Sequence, residues 1–219
     1  MIKQDILLTV DNIVFSISKN KLHILLIKRA IEPFKDARAI PGWFVWDTET
    51  LDQAAYRELA EETNVKNAYL EQLYTFSDVD RDPRWRVVSC AYVALVREDR
   101  LSIKSGSDAK DAKLFAIDAL PQLAFDHKKI LNHALQRLKY KLESTNIAQY
   151  LLPPTFTLTE LQKVYEIVLE QSIDVRNFRK KIDKICIVRE TGEKVIRWAH
   201  RPAMLYEFVT KKLIEVKIL

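Results

Sequence analysis

Residues 50–65 read TLDQAAYRELAEETNV and crowd Arg57, Glu58, Glu61 and Glu62 into little more than one helical turn. Thr50 and Gln53 have the spacing of a capping box: the threonine oxygen accepts from the amide three residues on, and the longer side chain reaches back. A helix is therefore expected to start there. Leu51, Ala54, Ala55 and Leu59 recur at steps of three and four, giving a narrow face of small apolar residues that can lie close on a sheet. Glu58, Glu61 and Glu62 fall at i, i+3 and i+4 on another face, where three like charges need a cation or water between them. One expected pair is Arg57 with Glu61, leaving Glu58 and Glu62 facing outward together. Hard carboxylate oxygens of this kind suit Mg2+ or Mn2+ shared with a substrate phosphate. The plainer alternative is a solvated acidic face with an ion pair of roughly a few tenths of a kcal/mol.

The rest of the chain sets limits on that chemistry. At 219 residues and 48% hydrophobic composition, it suffices for one large domain or two small ones with a buried core. The opening MIKQDILLTVDNIVF lacks a basic region followed by a long apolar run, and no stretch reaches about 18 uninterrupted apolar residues, so a cytoplasmic protein without membrane partners is expected. Cys90 and Cys186 lie far apart within apolar, strand-like runs and read as buried free thiols; zinc is not indicated. The net charge is +5, and residues 153–219 hold 13 Lys/Arg against 9 Asp/Glu, most of that excess. Such asymmetry points to a polyanion-facing C-terminal part.

Residues 5–18 and 22–29 read as a strand pair around a short turn, and 30–41, with Pro33 and Pro41, as a loop leading into Gly42. Strands are expected over 68–76, 86–96 and 113–117, with a charged loop SDVDRDPRW at 77–85. A second helix is expected over 126–142, with Asp126 as its cap and His127 near its N-terminus rather than in a catalytic role. A mixed sheet with these two helices on its faces is an α/β/α sandwich, within an overall α+β chain. Periodicity stops in STNIAQYLLPP, which places a linker at 146–154 between domains 1–145 and 155–219.

Beyond the linker, Thr157 and Glu160 form another capping box, opening a helix with Leu161, Val164, Tyr165 and Val168 on one face. Asp174 is placed to cap a second helix, DVRNFRKKIDKI, with Phe178, Ile182 and Ile185 as its buried positions. Strands are expected at 186–189 and 204–208. Two helices, a tight turn and a hairpin make a winged helix-turn-helix. The second helix would carry Arg176, Asn177, Arg179, Lys180, Lys181 and Lys184 towards DNA, and the hairpin would add Arg197, His200 and Arg201. A basic helix is often only a solvated face; its place as the second helix of this motif is what points to DNA.

The stretch PGWFVWDTETLDQAAYRELAEETNV resembles the Nudix box: Glu49, Arg57, Glu58, Leu59, Glu61, Glu62 and Val65 match it in register, while Trp43 and Asn64 stand where it has glycine. VDRDPRWRVVSCAYVAL, LPQLAFDHKKILNHALQRLKYKL, LLPPTFTLTELQKVYEIVLEQSIDVRNFRKKI and RPAMLY extend the likeness over nearly the whole chain, which is similar to the NrtR-type Nudix-related transcriptional regulators. The resemblance implies a Nudix domain binding ADP-ribose or a related nucleotide, a winged helix that represses genes, often of NAD or sugar metabolism, and a homodimer. It also implies roles for single residues: Glu58 as catalytic or metal-binding glutamate, Glu61 and Glu62 as further metal carboxylates, Arg57 as the arginine orienting them, and the Gly42 carbonyl as a metal ligand. Arg81 and Arg84 would meet ligand phosphates; Trp43 offers an aromatic surface for the ligand, and Arg38 takes a ligand-site position that is usually tryptophan. An exposed charged loop is the bland counterpart for Arg81 and Arg84. A glycine missing at position 43 would crowd a close approach, whereas Asn64 still suits a left-handed helix cap.

Two functions follow as expectations. One is a ligand-responsive DNA-binding regulator; the other is a Mg2+-dependent pyrophosphohydrolase of ADP-ribose type, kept open by the intact Arg57, Glu58, Glu61 and Glu62. A scaffold that has lost both activities is a third.

Overall fold

The computed structural model describes residues 5–65, 68–101, 111–196 and 202–218. The chain divides into two compact units, Met1–Leu135 and Gln136–Leu219.

The first unit is organised by strand β1, Leu7–Ser18. Its length lets one edge serve two partners. Residues 15–18 turn back into β2, Lys21–Lys28, while Thr9–Asp11 pair antiparallel with β4, Gly42–Phe44. Between them in sequence lies the short β3, Arg38–Ala39. Along its other edge β1 runs parallel to β6, Val87–Leu95, from Leu7 opposite Val87 to Phe15 opposite Leu95. β5, Tyr69–Phe76, and β7, Lys113–Ala116, complete a seven-stranded mixed sheet. The proline-containing stretch read as a loop therefore contains β3 and feeds β4, strands too short for any periodicity to register.

Helix α1, Leu51–Thr63, starts where the capping box places it: Gln53 N–H donates to Thr50 Oγ1, and Thr50 N–H to the Gln53 side chain. It ends on Asn64 at φ 57, whose N–H returns to the Ala60 carbonyl, so asparagine fills the left-handed cap position. Ala54, Ala55 and Leu59 are buried; the two alanines pack with Val10, Cys90 and Tyr92 of the sheet. Helix α2, His127–Ser144, follows, and the division between units falls inside it. Asp126 was expected to cap this helix, but its carboxylate is turned to Arg81.

In the second unit, residues 146–154 are not an open linker. They hold a 3-10 turn, Ile147–Tyr150, with Ile147, Ala148, Leu151 and Leu152 buried. Asn146 also fastens the chain's end, donating to the Lys212 carbonyl at 3.0 Å and accepting from Ile214 N–H at 2.9 Å. Helix α3, Leu158–Leu169, carries the expected Thr157–Glu160 capping box, and α4, Val175–Ile185, is capped by Asp174. Tyr165 and Phe178 meet edge to face at 5.4 Å in the core between them. The wing consists of β8, Val188–Val195, and β9, Ala203–Phe208, in antiparallel register with an irregularity between Glu190 and Lys194. β8 is longer than expected and begins later, because Cys186 adopts the left-handed conformation (φ 52) as the C-cap of α4. Its thiol is exposed, which corrects the expectation of burial, whereas Cys90 is buried as expected.

Candidate functional site

α1 and the loop before it hold the first cluster. Arg57 forks onto Glu49, Nε to Oε2 at 3.0 Å and Nη2 to Oε1 at 2.7 Å, and its third nitrogen donates to Glu58. Its guanidinium carbon stands 3.8 Å from the centre of the Trp46 ring. Glu61, the partner expected from spacing, does pair with it, at a longer 3.7 Å and with a side chain 57% exposed. Glu58, expected to face outward, is 6% exposed. The helix turns it inward because α1 packs tightly, through its alanines, on the sheet.

Burial is the main reason that Glu58 is pushed up to about 7, against the opposing pull of Arg57. Glu62 is likewise pushed up to about 7, by burial and then by the charges of Glu58 and Glu61. One Glu62 oxygen, Oε2, is buried without a hydrogen-bond partner. Hard carboxylate oxygens, one of them orphaned, on a single helical turn fit a divalent cation. Among the described residues, no group of three or more His, Cys, Asp or Glu side chains already stands in a metal-binding arrangement.

The adjoining cleft is lined by β1, β4, the end of β2 and the loop before β6, with Gly42, Trp43, Arg81 and Arg84 brought together in its wall. Glu58, Glu61 and Glu62 are not lining residues. The link is β4: Phe44 lines the cleft, and its carbonyl accepts from Arg57 at 3.4 Å. Gly42 is where close approach is needed, since a Cβ there would lie 2.2 Å from the Val10 carbonyl oxygen. Trp43 is accommodated next to it, 42% exposed. Arg38 does not reach this wall; its guanidinium is bound to Asp111, with Nη2 to Oδ2 at 2.5 Å. Arg81 lines the cleft but is held by Asp126, at 3.1 and 2.8 Å, and lies 3.4 Å from Asp11. Arg84 is bound at both its Nε and Nη2 by Asp82.

Among the wall residues that escaped the sequence reading are Asp11, Arg29 and Phe125. Asp11 left a signal, the one acid within the strand-forming run of β1, and it accepts from Ser89 Oγ at 2.5 Å. Arg29 left none, reading as the polar end of a strand. His127 is also in the wall, fully buried, its Nδ1 accepting from Ile40 N–H at 2.9 Å. That bond places the proton of the neutral ring on Nε2.

In the second unit, Arg176, Asn177, Arg179, Lys180 and Lys184 are exposed on α4, and Lys181 is half-buried. Phe178 and Ile182 hold the opposite face, while Ile185, expected with them, is half-buried. Among the described residues none of the five α4 cations forms an ion pair. Arg197, His200 and Arg201 lie outside the described residues. Among those described, no helix is long and apolar enough to cross a membrane.

A mixed-sheet sandwich bearing an acidic, arginine-clamped helix beside a cleft, and a winged helix-turn-helix in the same chain, define a two-module class of protein. Residues 8–134 match the NUDIX domain family, and residues 148–208 match the NrtR DNA-binding winged helix domain. The chain is 37% identical over 205 residues to the ADPR responsive transcriptional repressor NtrR of Acinetobacter baylyi, covering 92% of this chain and 82% of that protein. It is also similar to Shewanella oneidensis NrtR in complex with a 27mer DNA (TM-score 0.82, 34% identity, 92% and 93% of the two chains). The NUDIX domain of that protein complexed with ADP ribose superposes with a TM-score of 0.56 at 34% identity, over 62% of this chain and 90% of the other. The chain belongs to the NrtR family of Nudix-related transcriptional regulators.

Proposed function

We propose that this chain is a transcriptional repressor in which residues 1–145 bind ADP-ribose, residues 155–219 bind operator DNA, and the ligand weakens DNA binding. The observation that carries the DNA half is the exposed face of α4, whose cations lack carboxylate partners among the described residues. Such charges recover most when they displace counterions from phosphates. Asn177, exposed near the start of the helix, would read a base edge, and Arg197 and Arg201 would add wing contacts. The acting form is a homodimer, because two copies present two recognition helices to the half-sites of a palindromic operator.

For the ligand half, Glu58, Glu61, Glu62 and the Gly42 carbonyl would hold Mg2+ or Mn2+, which supplies charge neutralisation for a diphosphate. Arg57 keeps Glu58 turned inward and fixes Glu49, so the carboxylates keep one geometry. A second reading, hydrolysis of ADP-ribose, is favoured by the complete set of Arg57, Glu58, Glu61 and Glu62 on one helical turn; a glutamate of this set would take the proton from attacking water.

A mobility-shift titration with DNA from upstream of the chain's own gene tests the first reading. DNA retarded by the wild-type chain should be released by ADP-ribose, and Arg179→Glu with Lys180→Glu should abolish retardation and flatten its salt dependence. Unchanged affinity in that variant removes α4 as the reader, and indifference to ADP-ribose removes the sensor. In parallel, turnover of ADP-ribose with Mg2+ that disappears in Glu58→Gln would establish the enzyme.

A further inference from the structure

The carboxylate helix abuts the cleft at β4; in the wall beside Arg84, Arg29 and Phe125 have been given no role so far. Arg29 stands with its Cζ 4.6 Å from the centre of the Phe125 ring, and Arg84 approaches the same ring at 5.9 Å. The hydrogen bonds of Arg29 go to carbonyls, Nε to Pro33 at 2.8 Å and Nη2 to Ile31 at 3.4 Å. Among the described residues no carboxylate forms an ion pair with it. Asp82, the acid of this wall, is taken by Arg84 through two guanidinium nitrogens and the backbone amide. Glu32 is exposed and lies beside the Lys35 amide. Two guanidiniums thus share one ring and one committed carboxylate.

That arrangement is costly without an anion. Burial, and then repulsion from Arg84, pull the Arg29 guanidinium below its ordinary value, against the opposing charges of Asp82 and Glu32. Arg81, one of the two arginines that the family resemblance nominates for phosphate, is by contrast 5% exposed in its side chain and bonded to Asp126 with Asp11 alongside. A further anion there would have to displace an aspartate. Arg29 has charge to offer and a ring to hold it in place.

We propose that Arg29, backed by Phe125 and set beside Arg84, forms a phosphate-receiving subsite that binds an anionic oxygen of a nucleoside diphosphate ligand. This rests on the reading of the cleft as an ADP-ribose site and adds the group that recognises the ligand's charge independently of metal. Charge-assisted hydrogen bonds of this kind correspond to about tenfold or more in affinity.

The test is calorimetric titration of the full chain in EDTA with ADP-ribose, inorganic diphosphate and adenosine, comparing wild type with Arg29→Gln and Arg29→Lys. Arg29→Gln should weaken ADP-ribose and diphosphate by about tenfold or more and lower the salt dependence of their binding. Adenosine affinity should stay unchanged, and Arg29→Lys should restore part of the loss. Equal affinities of wild type and Arg29→Gln for both anions would overturn the subsite. So would equal losses for adenosine and the anions, which would mark Arg29 as a support of the 31–33 loop alone. If the wild type binds no ADP-ribose, the functional reading fails, and diphosphate decides the subsite: weaker binding in Arg29→Gln upholds it, and no difference, or no binding to either, overturns it.

Discussion

Arg57 lies over Trp46 at 3.8 Å, forks onto Glu49 and donates to the buried Glu58. A lysine keeps the charge but lacks the planar fork and the stacking surface, so it can satisfy one carboxylate at a time. Arg57→Lys should therefore destabilise the chain by about 2 kcal/mol, read as a lower urea midpoint at unchanged slope. An unchanged midpoint would show that Glu49 and Glu58 find other partners. The sequence names Arg57 and the three glutamates correctly as a cluster, because they share little more than one turn. It finds the i,i+4 pair of Arg57 with Glu61, at 3.7 Å, but misses the closer fork onto Glu49, which comes from the loop before α1, where i,i+4 spacing is silent.

At the scale of elements, β4 is the one that joins helix and cleft, and it depends on Gly42. A methyl group there would meet the Val10 carbonyl at 2.2 Å and the Asp11 carboxylate at 2.6 Å, both inside a packed sheet. Backbone cannot yield as a flexible side chain does, so Gly42→Ala should cost about 3 kcal/mol or more and expose β4 amides to hydrogen exchange. Wild-type protection in β4 of the variant would contradict this. The same geometry explains why Trp43 is tolerated: the tight approach falls one residue earlier, and position 43 faces partly outward. Both capping boxes and the Asp174 cap were legible because they are contiguous codes. β3 and β4 were not, because two- and three-residue strands exist only where β1 and β2 offer them an edge.

For the whole molecule, a buried polar network closes the first unit. Asp11 of β1, Ser89 of β6, Arg81 of the loop, Asp126 and His127 at the start of α2 and the Ile40 amide converge in it. His127 is held below its ordinary value mainly by burial, with Arg81 and Arg29 adding to the shift and Asp11 and Asp126 opposing it. The unfolded chain takes up this proton as pH falls through about 6.5, and the folded chain only at lower pH. Stability from this residue is therefore full above that pH and is lost downwards, at up to about 1.4 kcal/mol per pH unit. Glu58 and Glu62, pushed up to about 7, take up protons on folding over the same range and act in the opposite sense. Urea titrations between pH 7.5 and 5.5 should therefore show the loss as a fall in stability of the wild type relative to His127→Asn, which can still accept from Ile40 but does not titrate. Identical slopes in the two proteins would assign the loss elsewhere.

By itself the sequence determined the sandwich, the winged helix, the carboxylate turn and the basic face of α4, since periodicity, caps and local motifs are written in neighbouring residues. Tertiary structure alone decided which charges are already spent. Arg38 is taken by Asp111, Arg81 by Asp126, and Arg84 by Asp82, whereas among the described residues Arg29 bonds to carbonyls and lies on a ring. Most of these partners lie far along the chain, and an ion pair forms by distance in space, so no spacing rule could have revealed which arginine is left for a ligand.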